Sequence, residues 1–138
     1  LMGKQSMYEH SLRVPFLLAG PGVKRGQEPN PVYSYELFGR LAALAGLEKP
    51  AAVEAASPER PLYFGYRDFQ RAVRVGRYKM IWSRNAKGVV KEQYDLAKDP
   101  WEENNLAGKA TALAEDRFVA AAERGRAFFG DPVALPTA

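Results

Sequence analysis

The sequence predicts the end of an α/β domain joined to a small α+β lobe, in which a four-stranded antiparallel sheet is covered by one helix. Three observations carry this. Val14–Ala19 is an unbroken apolar run closed by Gly20-Pro21-Gly22. Four short aromatic and β-branched runs follow between Leu62 and Asp95, with turn residues between neighbours. A helix-period segment then runs from Ala110 to Phe129.

Val14–Ala19 lacks polar alternation, which is the pattern of a strand buried on both faces inside an α/β sheet. Tyr35–Ala45 places Leu37, Leu41 and Leu44 on one helical face with Phe38 and Ala45 beside it, Ser34 at the N-cap and Gly46 where a C′ glycine ends a helix. Residues 48–61, rich in Pro, Ala and Glu, read as a linker. The expected division is therefore residues 1–50 as the end of the first domain, 51–61 as linker and 62–138 as the small C-terminal subdomain.

Past the linker the period becomes two. Leu62–Tyr66, Gln70–Val75, Tyr78–Ser83 and Val89–Asp95 are the expected strands, with Gly76-Arg77 and Asn85-Ala86-Lys87-Gly88 as turns. In 110–129, Ala114, Phe118, Ala121, Ala122, Phe128 and Phe129 form an apolar stripe opposite Glu115, Asp116, Glu123 and Arg126.

The 138 residues suffice for one domain or two small lobes. With 46% hydrophobic and 26% charged residues and a mean hydropathy of −0.37, the composition is globular rather than disordered or fibrous. No apolar run approaches the roughly 20 residues that cross a bilayer, so no membrane partner is expected. The absence of Cys excludes disulfides, thiolate metal sites and a Cys nucleophile, and is compatible with either redox compartment, so the localisation stays open. The chain opens on Leu1 with neither a basic n-region nor an apolar h-region, so no signal peptide is read, and a start on Leu is the expectation for a chain whose upstream part has been cut away or was never built.

The net charge of +4 is unevenly distributed. Residues 60–91 hold nine basic side chains against Asp68, whereas residues 92–138 are acidic on balance. A basic stretch of this density implies an anionic ligand or an internal acidic face.

Gly3-Lys4-Gln5-Ser6-Met7-Tyr8-Glu9-His10-Ser11-Leu12-Arg13-Val14-Pro15 follows a G-K-x-x-x-Y-E-x-x-x-R-x-P pattern. Leu44-Ala45-Gly46-Leu47, then Arg71-Ala72-Val73-Arg74-Val75-Gly76-Arg77-Tyr78-Lys79-Met80-Ile81, then Tyr94 to Leu106 with its D-L-x-x-D-P-x-E-x-x-N-L pattern, follow in order. Together these resemble the C-terminal part of the sulfatases, the sulfuric ester hydrolases of the alkaline-phosphatase-like superfamily. The resemblance spans nearly the whole chain outside the linker, and four motifs in the family's order are specific. It implies an alkaline-phosphatase-like α/β fold and an enzyme acting on sulfate esters. It identifies Lys4 with the catalytic lysine that contacts the sulfate group, where a compact ammonium offsets charge on the sulfate and leaving oxygens. It also places His10, the only His, close to the substrate pocket as a substrate-binding residue. Glu9 and Arg13, one helical turn apart, read as a structural i,i+4 ion pair.

The resemblance further implies a formylglycine nucleophile and Ca²⁺ in the full-length parent. Neither is expected from this chain, which holds no C/S-x-P-S-R motif and no convergent carboxylates for a hard cation, so its metal-ligand set is none and the chain alone is expected to be inactive. The expected partners are the sulfate-ester substrate of the parent and the missing N-terminal catalytic region or a second copy. The competing reading is a stand-alone basic module for nucleic acid or sulfated glycans, resting on Arg67, Arg71, Arg74 and Arg77 interleaved with Phe69 and Tyr78. Strand periodicity weakens it, because Arg71, Val73 and Val75 face one way and Ala72 and Arg74 the other. Nucleic acid is therefore not the expected partner.

Overall fold

A computed structural model describes residues 5–28, 30–48 and 60–136. Contacts divide the chain into two units: residues 5–15 with 61–136, and residues 16–60.

The first unit is built on one sheet. β1 (Leu62–Tyr66), β2 (Gln70–Val75), β3 (Tyr78–Asn85) and β4 (Gly88–Asp95) pair antiparallel in chain order. The registers Tyr63↔Val73, Val73↔Met80 and Met80↔Gln93 run straight across it. The strands match the sequence expectation, with β3 and β4 extended toward the turn between them. Gly76 opens the two-residue β2–β3 turn with φ +58°, a conformation that only glycine adopts cheaply.

Alternation gives the sheet two apolar faces. On one, Tyr63, Val73, Met80 and Trp82 pack against Phe118, Ala121 and Ala122 of α3 (Glu115–Phe129). On the other, Ala72, Ile81 and Tyr94 pack against Met7, with Tyr8 and Leu12 beside it. The covering helix was expected; the second cover, supplied by residues 5–12, was not. This is also why residues 5–15 group with the C-terminal unit rather than with the rest of 1–50.

α3 begins five residues later than the apolar stripe implied, because Ala110–Ala114 forms turns instead. Of the stripe, Phe118, Ala121 and Ala122 are buried, whereas Phe128 and Phe129 stay largely exposed. The helix closes at Gly130, φ +61°, where Gly130 N–H donates to the Ala127 carbonyl and Asp131 N–H to that of Arg126.

In the second unit, α2 (Glu36–Leu44) ends as expected. Gly46 has φ +71°, its N–H donating to the Ala43 carbonyl and Leu47 N–H to that of Ala42. Its start differs: the N-cap is Tyr35, not Ser34, and no side chain caps the helix. Its apolar face is not buried either, since Phe38, Leu41 and Leu44 are exposed while Glu36, Gly39 and Ala42 are enclosed. Glu36 is held by Arg60 Nη1 at 2.5 Å.

Val14–Ala19 is not a strand. It has no regular structure and pairs with no strand among the described residues, with Val14 61% and Leu17 87% exposed. A strand of this type needs a hydrogen-bonding neighbour and two covering layers, and among the described residues none is supplied to it. Of the linker assigned to 51–61, residues 51–59 lie outside the described residues. No helix among the described residues is long and apolar enough to cross a membrane.

Candidate functional site

The stretch carrying the sequence-identified residues is held to the sheet by polar contacts around a small apolar anchor. Met7 is buried among Ala72, Ile81 and Tyr94. Next to it, Tyr8 Oη and Tyr94 Oη both donate to Glu92 Oε1 at 2.8 Å. Burial, reinforced by the Glu92 carboxylate, pushes the Tyr8 phenol up to about 12 and the Tyr94 phenol higher still. Both remain donors throughout the physiological range.

Glu9 opens the single-turn helix α1 (Glu9–Leu12) and is the most connected residue of the stretch. Its Oε1 accepts from Lys79 Nζ at 2.9 Å, its Oε2 lies 3.9 Å from Arg74 Nη1, and its N–H donates to Glu102 Oε2 at 2.5 Å. Lys79, fully enclosed on β3, also meets Glu102 Oε1 at 2.8 Å. Two carboxylates thus converge on one buried ammonium. Breaking such a pair from one side leaves an uncompensated charge, at a cost of about 3–5 kcal/mol. The ion pair expected between Glu9 and Arg13 does not form, because the Glu9 carboxylate turns inward to Lys79 and Arg74 while Arg13 sits in solvent.

His10 follows Glu9 on the outer side of the turn and is exposed. Its ring stacks on Tyr8 at 5.8 Å between centroids, and Nε2 lies 3.4 Å from the Oγ of buried Ser6. Ser6 Oγ also bonds Ser11 Oγ at 2.9 Å. The imidazole is therefore oriented by Tyr8 and Ser6 while it stays exposed. Lys4 lies outside the described residues.

Sequence reasoning missed Lys79, Glu102 and Glu92. A signal existed for Lys79: it sits in the strand run Met80-Ile81-Trp82, where a lone charge implies a buried partner. Glu102 is the glutamate of the D-P-x-E motif, but the motif does not disclose its burial, which follows from a left-handed backbone, φ +58°, that turns it toward the sheet.

The basic segment is largely neutralised from within. Arg60 pairs with Glu36, Arg71 with Asp131, Arg74 with Glu9, Arg77 with Asp95, Lys79 with Glu9 and Glu102, and Lys91 with Glu115. Six of its nine cations therefore meet acidic side chains of this chain, which answers the charge asymmetry without an external polyanion. The groove beside β4, lined by Met80, Lys91, Gln93, Leu113 and Glu115, has its polar groups paired as well: Gln93 exchanges two hydrogen bonds with the Leu113 backbone, and Lys91 meets Glu115.

Among the described residues no three His, Asp or Glu side chains converge to hold a metal ion. The two carboxylates that do converge are occupied by Lys79. Among the described residues the carboxylates present thus do not fit a Ca²⁺ ion.

No family model matches the chain. It is 30% identical to the Delta 4,5-hexuronate-2-O-sulfatase of Bacteroides thetaiotaomicron, over 74% of this chain and 26% of that protein. It is 27% identical to arylsulfatase K of Mus musculus, over 75% and 23%, and 29% identical to the choline-sulfatase of Rhizobium meliloti, over the same shares. Its fold matches, with a TM-score of 0.55, a solved structure of a protein in complex with its substrate D-glucosamine-2-N,6-O-disulfate, at 22% identity over 70% of this chain and 24% of that one. The chain spans about a quarter of the length of the curated relatives it matches. Three relatives named for the same ester chemistry, added to four motifs in order, make the chain similar to the sulfatases, the sulfuric ester hydrolases, over about a quarter of their length.

Proposed function

We propose that this chain is the C-terminal part of a sulfate-ester hydrolase, in which residues 4–13 present Lys4 and His10 to the sulfate group while the sheet behind them acts as a rigid mount. The observation that carries this reading is the anchoring of residues 6–12 on the sheet through Met7, Tyr8 and Glu9, which leaves His10 outward. Lys4 acts as the cation beside the breaking S–O bond, stabilising charge that grows in the transition state more than charge in the bound ester. His10 contacts the substrate. The relatives are named for a hexuronate, an aryl and a choline ester, so the substrate class proposed is the sulfate ester and no narrower.

The formylglycine nucleophile and Ca²⁺ of the parent are assigned to residues outside this chain. The exposed Phe16, Leu17 and Leu18 and, on α2, Phe38, Leu41 and Leu44 support a larger protein whose remaining catalytic sheet covers them.

The test is steady-state kinetics of the intact enzyme on an aryl sulfate. Lys4→Ala lowers kcat by about a hundredfold or more, Lys4→Arg fails to restore it because a planar fork does not replace a compact ammonium, and His10→Ala acts mainly on KM. Wild-type kcat in Lys4→Ala refutes the assignment. Residues 1–138 alone release no sulfate, with or without Ca²⁺; protein-dependent release refutes the division of labour.

A further inference from the structure

Lys79 is enclosed in the sheet, yet both carboxylates paired with it come from outside it: Glu9 Oε1, which accepts its hydrogen bond, at 2.9 Å from the N-terminal stretch, and Glu102 Oε1, an ion-pair partner, at 2.8 Å from the loop after β4. Glu102 closes the ring by accepting the Glu9 N–H through its second oxygen. It does so from a left-handed backbone, φ +58°, which a non-glycine residue keeps only when its surroundings enforce it. Stability alone does not account for this arrangement, because well-packed apolar groups of similar volume usually serve a buried site as well or better. What the ring adds is direction. Met7 and Leu12 would tolerate a slide along the sheet, whereas an ammonium shared by two carboxylates, with a backbone N–H tied to one of them, permits a single register.

We propose that the Lys79–Glu102 pair is a positioning device that sets the register of residues 5–12 on the sheet, and with it the placement of Lys4 and His10. Neither residue of the pair is assigned contact with substrate. The inference rests on the sulfatase reading only for what Lys4 and His10 then do.

The experiment uses the full chain. His10 is the only His, so its ring C–H proton resonances are unambiguous, and its stacking on Tyr8 shifts them by ring current. Proton NMR and native-state amide exchange are compared for wild type, Glu102→Gln and Lys79→Met. Both variants move the His10 resonances toward the unstacked position, and the amides of Ser11, Leu12 and Arg13 exchange about tenfold faster or more while those of β2 and β3 keep their protection. Unchanged His10 resonances in both variants overturn the proposal. So does a parallel loss of protection in the sheet of Glu102→Gln, which lies outside the strands and decides the matter if Lys79→Met unfolds. In the intact enzyme, Glu102→Gln lowers kcat for para-nitrophenyl sulfate about tenfold or more with KM little changed, as expected of a misplaced catalytic group. Shifted His10 resonances with unchanged kcat overturn the sulfatase role of the stretch and leave the register device standing.

Discussion

Gly125 of α3 lies so close to Tyr63 of β1 that a Cβ at that position would overlap the Tyr63 Cβ and Cγ. The helix can reach the sheet at this crossing only because residue 125 has no side chain. From there the Tyr63 ring runs to Phe129, stacked at 6.3 Å, and its hydroxyl donates to Asp131 at 2.6 Å.

Gly125→Ala is therefore expected to destabilise the first unit despite the better helix propensity of alanine. Overpacking of this kind costs about 1–3 kcal/mol, against a propensity gain of about 1. Urea unfolding followed by Trp fluorescence checks it: the midpoint falls with the slope unchanged. A midpoint at or above wild type removes the close approach as a constraint.

Asp131 contributes to acid stability. Burial pushes its carboxyl up, but hydrogen bonds from Tyr63 Oη, the Val133 N–H and Arg71 outweigh burial and hold it below the ordinary value of 3.8. A group with a lowered folded pKa contributes stability that is complete above its unfolded value and lost as pH falls through the folded one. Asp131→Asn is expected to cost about 3 kcal/mol at neutral pH, leaving enclosed Arg71 without its counter-charge. The cost shrinks as pH drops below 3.8. Thermal unfolding of both proteins across the acid range tests this, and a pH-independent difference contradicts it.

Three tyrosines contribute to alkaline stability. Burial and hydrogen bonds to Glu92 raise Tyr8 and Tyr94, and burial with Asp131 raises Tyr63, all from an ordinary value of 10.0. The native state thus keeps protons that the unfolded state releases, so stability is full below pH 10 and falls as pH rises beyond it. Tyrosinate absorbance shows the effect directly: subtracting the titration of Tyr8→Phe from that of wild type isolates an ionisation near 12. A difference curve centred at 10 contradicts the buried hydrogen bond.

The sequence by itself determined the meander and its covering helix, because alternation of period two, turn chemistry at Gly76 and the stripe Phe118, Ala121, Ala122 are local properties that need no knowledge of the rest of the chain. It also pointed to the sulfatases, through four motifs in order. Only the tertiary structure decided which groups meet. Glu9 was legible as a charge but not as the partner of Lys79 and Glu102, which lie 70 and 93 residues further on. That Lys79 would be enclosed while Arg77 stays half in solvent depends on which face of the sheet receives residues 5–12. Val14–Ala19 marks the same limit from the other side. An apolar run becomes a buried strand only when another segment supplies its hydrogen bonds and its cover, and composition records the need for those partners without recording their presence.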